Sequence, residues 1–128
     1  EYNALTIMIE YYAETKIAFY VPKSVFYPRP KVDSAVIMLT TRKKPIVQVH
    51  NEDFFFKVVK GAFVQKRKTL YNNLKQILKD VPTDIIQEAL IRANLDMNTR
   101  GEMLTIQEFA LLSNTIEEMF FSKNRLLS

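Results

Sequence analysis

Phe26-Tyr27-Pro28-Arg29-Pro30-Lys31-Val32-Asp33-Ser34-Ala35-Val36-Ile37-Met38-Leu39-Thr40 sets a stiff aromatic and basic loop directly before a nearly continuous apolar run. Pro22, Pro28 and Pro30 hold residues 22–33 extended, because each proline fixes its own φ and pushes its predecessor out of the α region. Residues 34–40 carry the pattern of a strand covered on both faces. Upstream, Lys16-Ile17-Ala18-Phe19-Tyr20-Val21 is short, β-branched and aromatic and ends at Pro22, so it reads as a second strand. Residues 3–12 place Leu5, Ile9 and Tyr12 at helical spacing ahead of it. Two strands cannot supply covers for both faces of the apolar run. Residues 1–45 are therefore expected to be the edge of a larger α/β sheet domain, most of it outside this chain.

After Arg42-Lys43-Lys44-Pro45 the apolar period becomes helical, which puts a domain boundary near residues 45–51. Phe55, Val59, Ala62 and Phe63 make one apolar stripe. Lys57, Lys60, Arg67, Lys68 and Lys75 fall on a second arc if that helix is continuous. Continuity fails on two counts: Lys66 and Asn73 would land inside the apolar stripe, and Gly61 is a poor interior residue. A break is expected between Ala62 and Lys68. Thr83 or Asp84 caps a next helix with Ile85, Ile86, Ala89, Leu90 and Ala93 inward and Arg92 outward. A loop over residues 94–101 follows. Thr105-Ile106-Gln107-Glu108 is a capping box that opens a last helix with Ile106, Phe109, Ala110, Ile116 and Phe120 toward the core. The expected fold is an α/β remnant, one helix and two strands, followed by an all-α helical bundle over residues 46–128.

The composition narrows the chemistry. The 128 residues include no Cys and one His, so zinc and iron ligand sets, disulfides and cysteine nucleophiles are excluded, and no metal site is expected. Only Gly61 and Gly101 occur, too few for a phosphate-cradling glycine loop. The carboxylates are scattered over different elements, and no paired-carboxylate site can be assembled. With no run of 18 apolar residues and no signal peptide, the chain reads as a cytoplasmic fragment without a membrane partner. The net charge of +4 conceals a strong polarity: residues 16–79 hold fourteen basic residues against three acids, whereas residues 80–121 hold two against eight. A polyanionic partner accounts for that segregation, and a solvated face is the bland alternative.

The proline loop is the densest local signal. A ring held by prolines loses little entropy on stacking against a base. Phe26 and Tyr27 either do this or close the end of the sheet, with Lys23, Arg29 and Lys31 beside them. His50, a lone histidine beside the linker, and Phe54-Phe55-Phe56, at a helix start, read as structural. Arg100 and Glu102 read as a structural pair or cap near the loop before the last helix.

Phe26-Tyr27-Pro28-Arg29-Pro30-Lys31-Val32-Asp33-Ser34 resembles a signature of the ribosomal RNA adenine N6,N6-dimethyltransferases. Ala62-Phe63-Val64-Gln65-Lys66-Arg67-Lys68-Thr69-Leu70 resembles a second, and Arg100-Gly101-Glu102-Met103-Leu104 with Glu108-Phe109 is similar to a third. All three stand in the family's order across nearly the whole chain. Lys66 departs from the pattern, where Arg is more usual; the charge is kept and the planar fork is lost. The sister family of erythromycin-resistance enzymes, which act on large-subunit RNA, shares the first signature with Asn at the position of Asp33 and lacks the second. The resemblance is thus closer to the small-subunit enzymes.

What the resemblance implies is the C-terminal part of an S-adenosylmethionine-dependent enzyme that dimethylates two adjacent adenosines in the 16S rRNA of the small ribosomal subunit. Residues 1–45 would be the last helix and strands of a class I methyltransferase sheet. The cofactor and the tetrapeptide that orients the target nitrogen would be held N-terminal to this chain, with no cofactor-binding residue within it. Phe26 maps onto the residue that stacks on the flipped adenine. Lys57, Lys60, Lys66, Arg67 and Lys68, with Lys23, Arg29 and Lys31 of the loop, are the candidates for RNA contact. Arg67 or Lys68 could instead lock the two domains together. A fragment of this kind is expected to lack activity and to self-associate through its exposed sheet edge. A non-catalytic nucleic-acid-binding module is the competing reading. Either way, RNA affinity should fall steeply with salt.

Overall fold

The computed structural model of the chain describes residues 2–127, and side chains to residue 121. It divides into two compact units, Glu1–Met8 with Val47–Ser128 and, separately, Ile9–Ile46. The division passes through the first helix, α1 (Ala4–Tyr12), so the start of the chain packs with the later helices.

In the smaller unit, β1 (Ala13–Val21) follows α1 without a break and pairs antiparallel with β2 (Ser34–Thr41). The register runs from Ala13 opposite Thr41 to Val21 opposite Ser34, with a shift between Ile17 and Phe19 where Ala18 is the extra residue. Arg42 finishes the hairpin: its N–H donates to the Tyr12 carbonyl at 2.8 Å and its Nε to the Glu10 carbonyl at 2.9 Å. The sequence pattern of β2 called for cover on both faces, yet Ile37 and Met38, neighbours that point to opposite faces, are 60% and 55% exposed. Leu5 and Tyr12 are exposed and Ile9 is half-buried; the buried line of α1 is Ile7 and Tyr11, four residues apart.

The proline loop is the tip of this hairpin. A 3₁₀ turn, Lys23–Val25, starts it, and the peptide bond between Tyr27 and Pro28 is cis. The base of the loop is closed by Asp33, whose Oδ1 accepts the Lys23 N–H at 2.8 Å across ten residues.

The larger unit is four helices around one core: α2 (Glu52–Ala62), α3 (Leu70–Ile77), α4 (Thr83–Arg92) and α5 (Ile106–Leu127). Phe55, Val58, Leu70, Leu74, Ile86, Leu90, Phe109 and Leu112 are fully buried there. Asn51 caps α2 by accepting the Phe54 N–H, and Thr69 caps α3 by accepting the Asn72 N–H. The helix breaks where expected, with residues 63–69 between α2 and α3. Gly61 is in the helix for a packing reason, since a Cβ there would stand 3.0–3.1 Å from Ile77 of α3.

The capping box forms as read: the Thr105 N–H donates to Glu108 Oε1 at 3.0 Å and the Glu108 N–H to Thr105 Oγ1 at 3.2 Å. At α4 the expected cap by Thr83 or Asp84 is absent. Pro82 holds the cap position, and its carbonyl accepts from Ile85 and Ile86. With φ already fixed by the ring, helix entry needs no side-chain acceptor, and Asp84 instead places its charge in the first turn. Asn94, at φ 61°, ends α4 in the left-handed region, and Leu95 N–H reaches back to the Leu90 carbonyl at 2.9 Å.

His50 and Asn114 tie the segment before α2 to α5. Asn114 accepts the His50 N–H and donates to the Gln48 carbonyl, while His50 Nε2 lies 2.8 Å from Glu118. The Asp33 clasp yields a local test. Asp33→Ala should raise the hydrogen-exchange rate of the Lys23 amide by about tenfold, the worth of one hydrogen bond of this kind, with β1–β2 amides remote from the tip unchanged.

Candidate nucleic-acid interface

The basic residues fall into groups defined by the break after α2. Lys57 and Lys60 stay on the outer face of α2 and border a groove of about 390 Å³ with Asp53, Phe56 and Ile77. Lys57 also borders a second groove, of about 350 Å³, with Phe54, Lys79 and Asp80. Each groove carries an acid among its lysines, and both have apolar floors.

Lys66 and Lys68 turn the other way. They line a small cleft of about 60 Å³ together with Arg100, and its wall is built by Tyr2, Phe63 and Gly101. Tyr2 and Phe63 meet edge to face at 6.1 Å, and the Tyr2 hydroxyl donates to the Leu104 carbonyl at 2.7 Å. Among the described residues, the one acid bordering the cleft is Glu102. Arg67 is exposed and lies outside this lining. The continuous arc of Lys57, Lys60, Arg67, Lys68 and Lys75 therefore does not exist as such, and Lys75 is spent within α3, 4.6 Å above the Tyr71 ring.

Arg100 corrects the sequence reading. No ion pair joins it to Glu102 among the described residues; both side chains line the cleft instead. No sequence signal points to it, because its place follows from contacts that only the fold makes. Leu70 N–H donates to the Thr99 carbonyl at 2.7 Å, which brings residues 99–101 against the start of α3. Gly101 then approaches so closely that a Cβ would stand 2.7 Å from the Ala62 carbonyl oxygen. Two segments distant in sequence thus deliver three cations to one place.

A buried amide makes this possible. Asn73 is 1% exposed, and its Nδ2 donates to the carbonyls of Ala62 and Gln65, each at 3.0 Å. It closes the broken end of α2 against the loop that carries Lys66 and Lys68. Lys68 N–H adds a turn by donating to the Gln65 carbonyl at 3.1 Å.

In the smaller unit, considered separately, Phe26 is 41% exposed beyond the 3₁₀ turn and Tyr27 fully so. Lys23, Arg29 and Lys31 share that loop and are exposed. The arrangement is chemically a rigid aromatic edge with cations around it. No group of His, Cys, Asp and Glu suited to a metal ion occurs among the described residues, and none of the described helices is long and apolar enough to cross a membrane.

Residues 1–118 match the model of a family described as ribosomal RNA adenine dimethylase. The chain is 50% identical over 123 residues to ribosomal RNA small subunit methyltransferase A of Bacillus pumilus, covering 94% of this chain and 42% of the relative. The protein of the same name from Moorella thermoacetica is 47% identical over 117 residues, 91% of this chain and 40% of that one. The chain therefore spans about two-fifths of the length of the curated relatives it matches. Among solved structures, the 23S rRNA methyltransferase ErmE superposes with a TM-score of 0.67 at 22% identity, over 91% of this chain and 46% of that one. A dimethyladenosine transferase from Plasmodium falciparum gives 0.63 at 22% identity, over 96% and 50%. With motifs, helical unit and sequence all in agreement, the chain belongs to the ribosomal RNA adenine dimethylase family.

Proposed function

We propose that the chain acts as the C-terminal part of an S-adenosylmethionine-dependent enzyme that dimethylates two adjacent adenosines of 16S rRNA in the small ribosomal subunit. Residues 9–46 serve as the last elements of a class I methyltransferase sheet, and the helical unit docks on RNA. The observation that carries the reading is the gathering of Lys66, Lys68 and Arg100 around one cleft by a buried amide and a close glycine. Three cations drawn from two segments present a fixed pattern to phosphate oxygens, and release of counterions drives such binding. Relatives named as small-subunit methyltransferases share about half of their aligned residues with this chain, which supports a small-subunit substrate.

The described residues do not fit a cofactor seat. Both glycines are packed against neighbours, Gly61 on Ile77 and Gly101 on Ala62, and neither opens a loop to a ligand. The cofactor is accordingly assigned to a part of the protein N-terminal to this chain, and the chain alone is inactive. What these residues supply is the substrate side. An adenine amine is a poor nucleophile, so the base must leave the stack and be aimed, and an aromatic edge such as Phe26 holds an extruded base by stacking worth about 1–3 kcal/mol.

Two variants of the intact protein separate these roles. Phe26→Ala should lower methyl transfer about tenfold or more while small-subunit binding changes less than about threefold. Arg100→Ala should weaken binding and reduce the dependence of log affinity on log salt by about one. Equal losses of transfer and binding in Phe26→Ala would contradict the stacking role. The isolated chain, with the apolar faces of β1 and β2 in water, should self-associate, and sedimentation at rising concentration reads this directly.

A further inference from the structure

The side chain on which the basic cleft depends does not face a ligand. Asn73 occupies the first turns of α3, is 1% exposed, and donates both protons of its amide, one to Ala62 at the end of α2 and one to Gln65 in the loop. Its Oδ1 has no hydrogen-bond partner. A buried carbonyl left unmatched carries a desolvation cost that an apolar side chain of similar volume avoids. A leucine there, between the core residues Leu70 and Leu74, would avoid that cost but leave the Ala62 and Gln65 carbonyls without their donor. What an amide supplies and leucine cannot is a pair of donors aimed at two carbonyls of different segments.

Those two carbonyls fix the residues that matter. Ala62 is the point where Gly101 closes in from the other side, and Gln65 immediately precedes Lys66 and is bonded by Lys68 N–H. We infer that Asn73 is the positioning residue of the RNA-docking cleft, holding the Gln65–Lys68 turn in register with Arg100 without touching RNA. The inference rests on the docking reading above.

The test uses Asn73→Leu, similar in volume and lacking donors, and Asn73→Ser in case leucine does not fold, each in the intact protein. Hydrogen exchange of the free protein should show the Val64 and Lys68 amides opening about tenfold faster or more, with α4 and α5 amides unchanged, since each of the two hydrogen bonds lost is worth about that factor. Binding to unmethylated small subunits should weaken about tenfold, but less than about twofold when the same change is made on a Lys66→Ala/Lys68→Ala background, because coupled residues are not additive. An equal loss in both backgrounds, or faster exchange throughout α4 and α5, would make Asn73 merely structural and overturn the inference. Unchanged exchange at Val64 and Lys68 overturns it whatever the binding shows. If Lys66→Ala/Lys68→Ala binds as tightly as the parent, the docking reading itself falls, and with it the role proposed for Asn73 in recognition.

Discussion

The carbonyl of Ala62 is the point on which the helical unit turns. A helix end leaves its last carbonyls without intrahelical partners, and when that end is buried something other than water has to satisfy them. Here the donor is the Asn73 amide, reaching back from α3 at 3.0 Å. Because the same amide also holds Gln65, the chain cannot continue α2 and cannot wander; it turns once and restarts at the Thr69 cap. Gly101 occupies the remaining side of that carbonyl, where any larger residue would collide or force a shift. The end of one helix, the start of the next and the turn before the last helix are thereby fixed together.

That constraint converts a basic composition into a directional surface. Lysines on an unbroken helix would spread their charge along one arc. The break instead leaves Lys57 and Lys60 on α2, sharing their grooves with Asp53 and Asp80, and swings Lys66 and Lys68 toward Arg100. Charge on a side-chain stem is cheap to arrange loosely and costly to arrange in register, since each long side chain gives up rotamer freedom when held. Building the register from backbone bonds moves that cost onto the fold. The hairpin follows the same logic on a smaller scale: three prolines and the Asp33 clasp fix the path of residues 22–33, so Phe26 is presented by a loop with little left to lose.

Much of this was legible in the sequence. Both strands, the capping box at Thr105 and the break after Ala62 follow from period, proline and cap chemistry. The family signatures located the loop and the basic run. The helix at the start was legible but its buried face was not, because Leu5, Ile9 and Tyr12 and the line of Ile7 and Tyr11 are both compatible with a helix of nine residues, and only packing chooses between them. The α4 cap was misread because Thr and Asp are good caps in isolation, while Pro82 made one unnecessary. The most informative signal was read only halfway. Asn73 on an apolar stripe announced a break, and it also announced what occupies the break: a polar residue on a buried face is there for a partner, and the nearest unsatisfied groups are the carbonyls of the helix that has just ended. Arg100 was beyond reach, because its place in the cleft depends on the Leu70–Thr99 bond and on how near Gly101 comes to Ala62.

On the function proposed above, the chain is part of a protein that recognises small-subunit RNA through the basic cleft and offers a stacking ring to the adenine it modifies. Labelled-methyl transfer by the intact protein, offered unmethylated small ribosomal subunits and protein-free large-subunit RNA side by side, tests that assignment most directly. The account predicts label on the small subunits alone. Label on the large-subunit RNA, or on neither substrate, would contradict it.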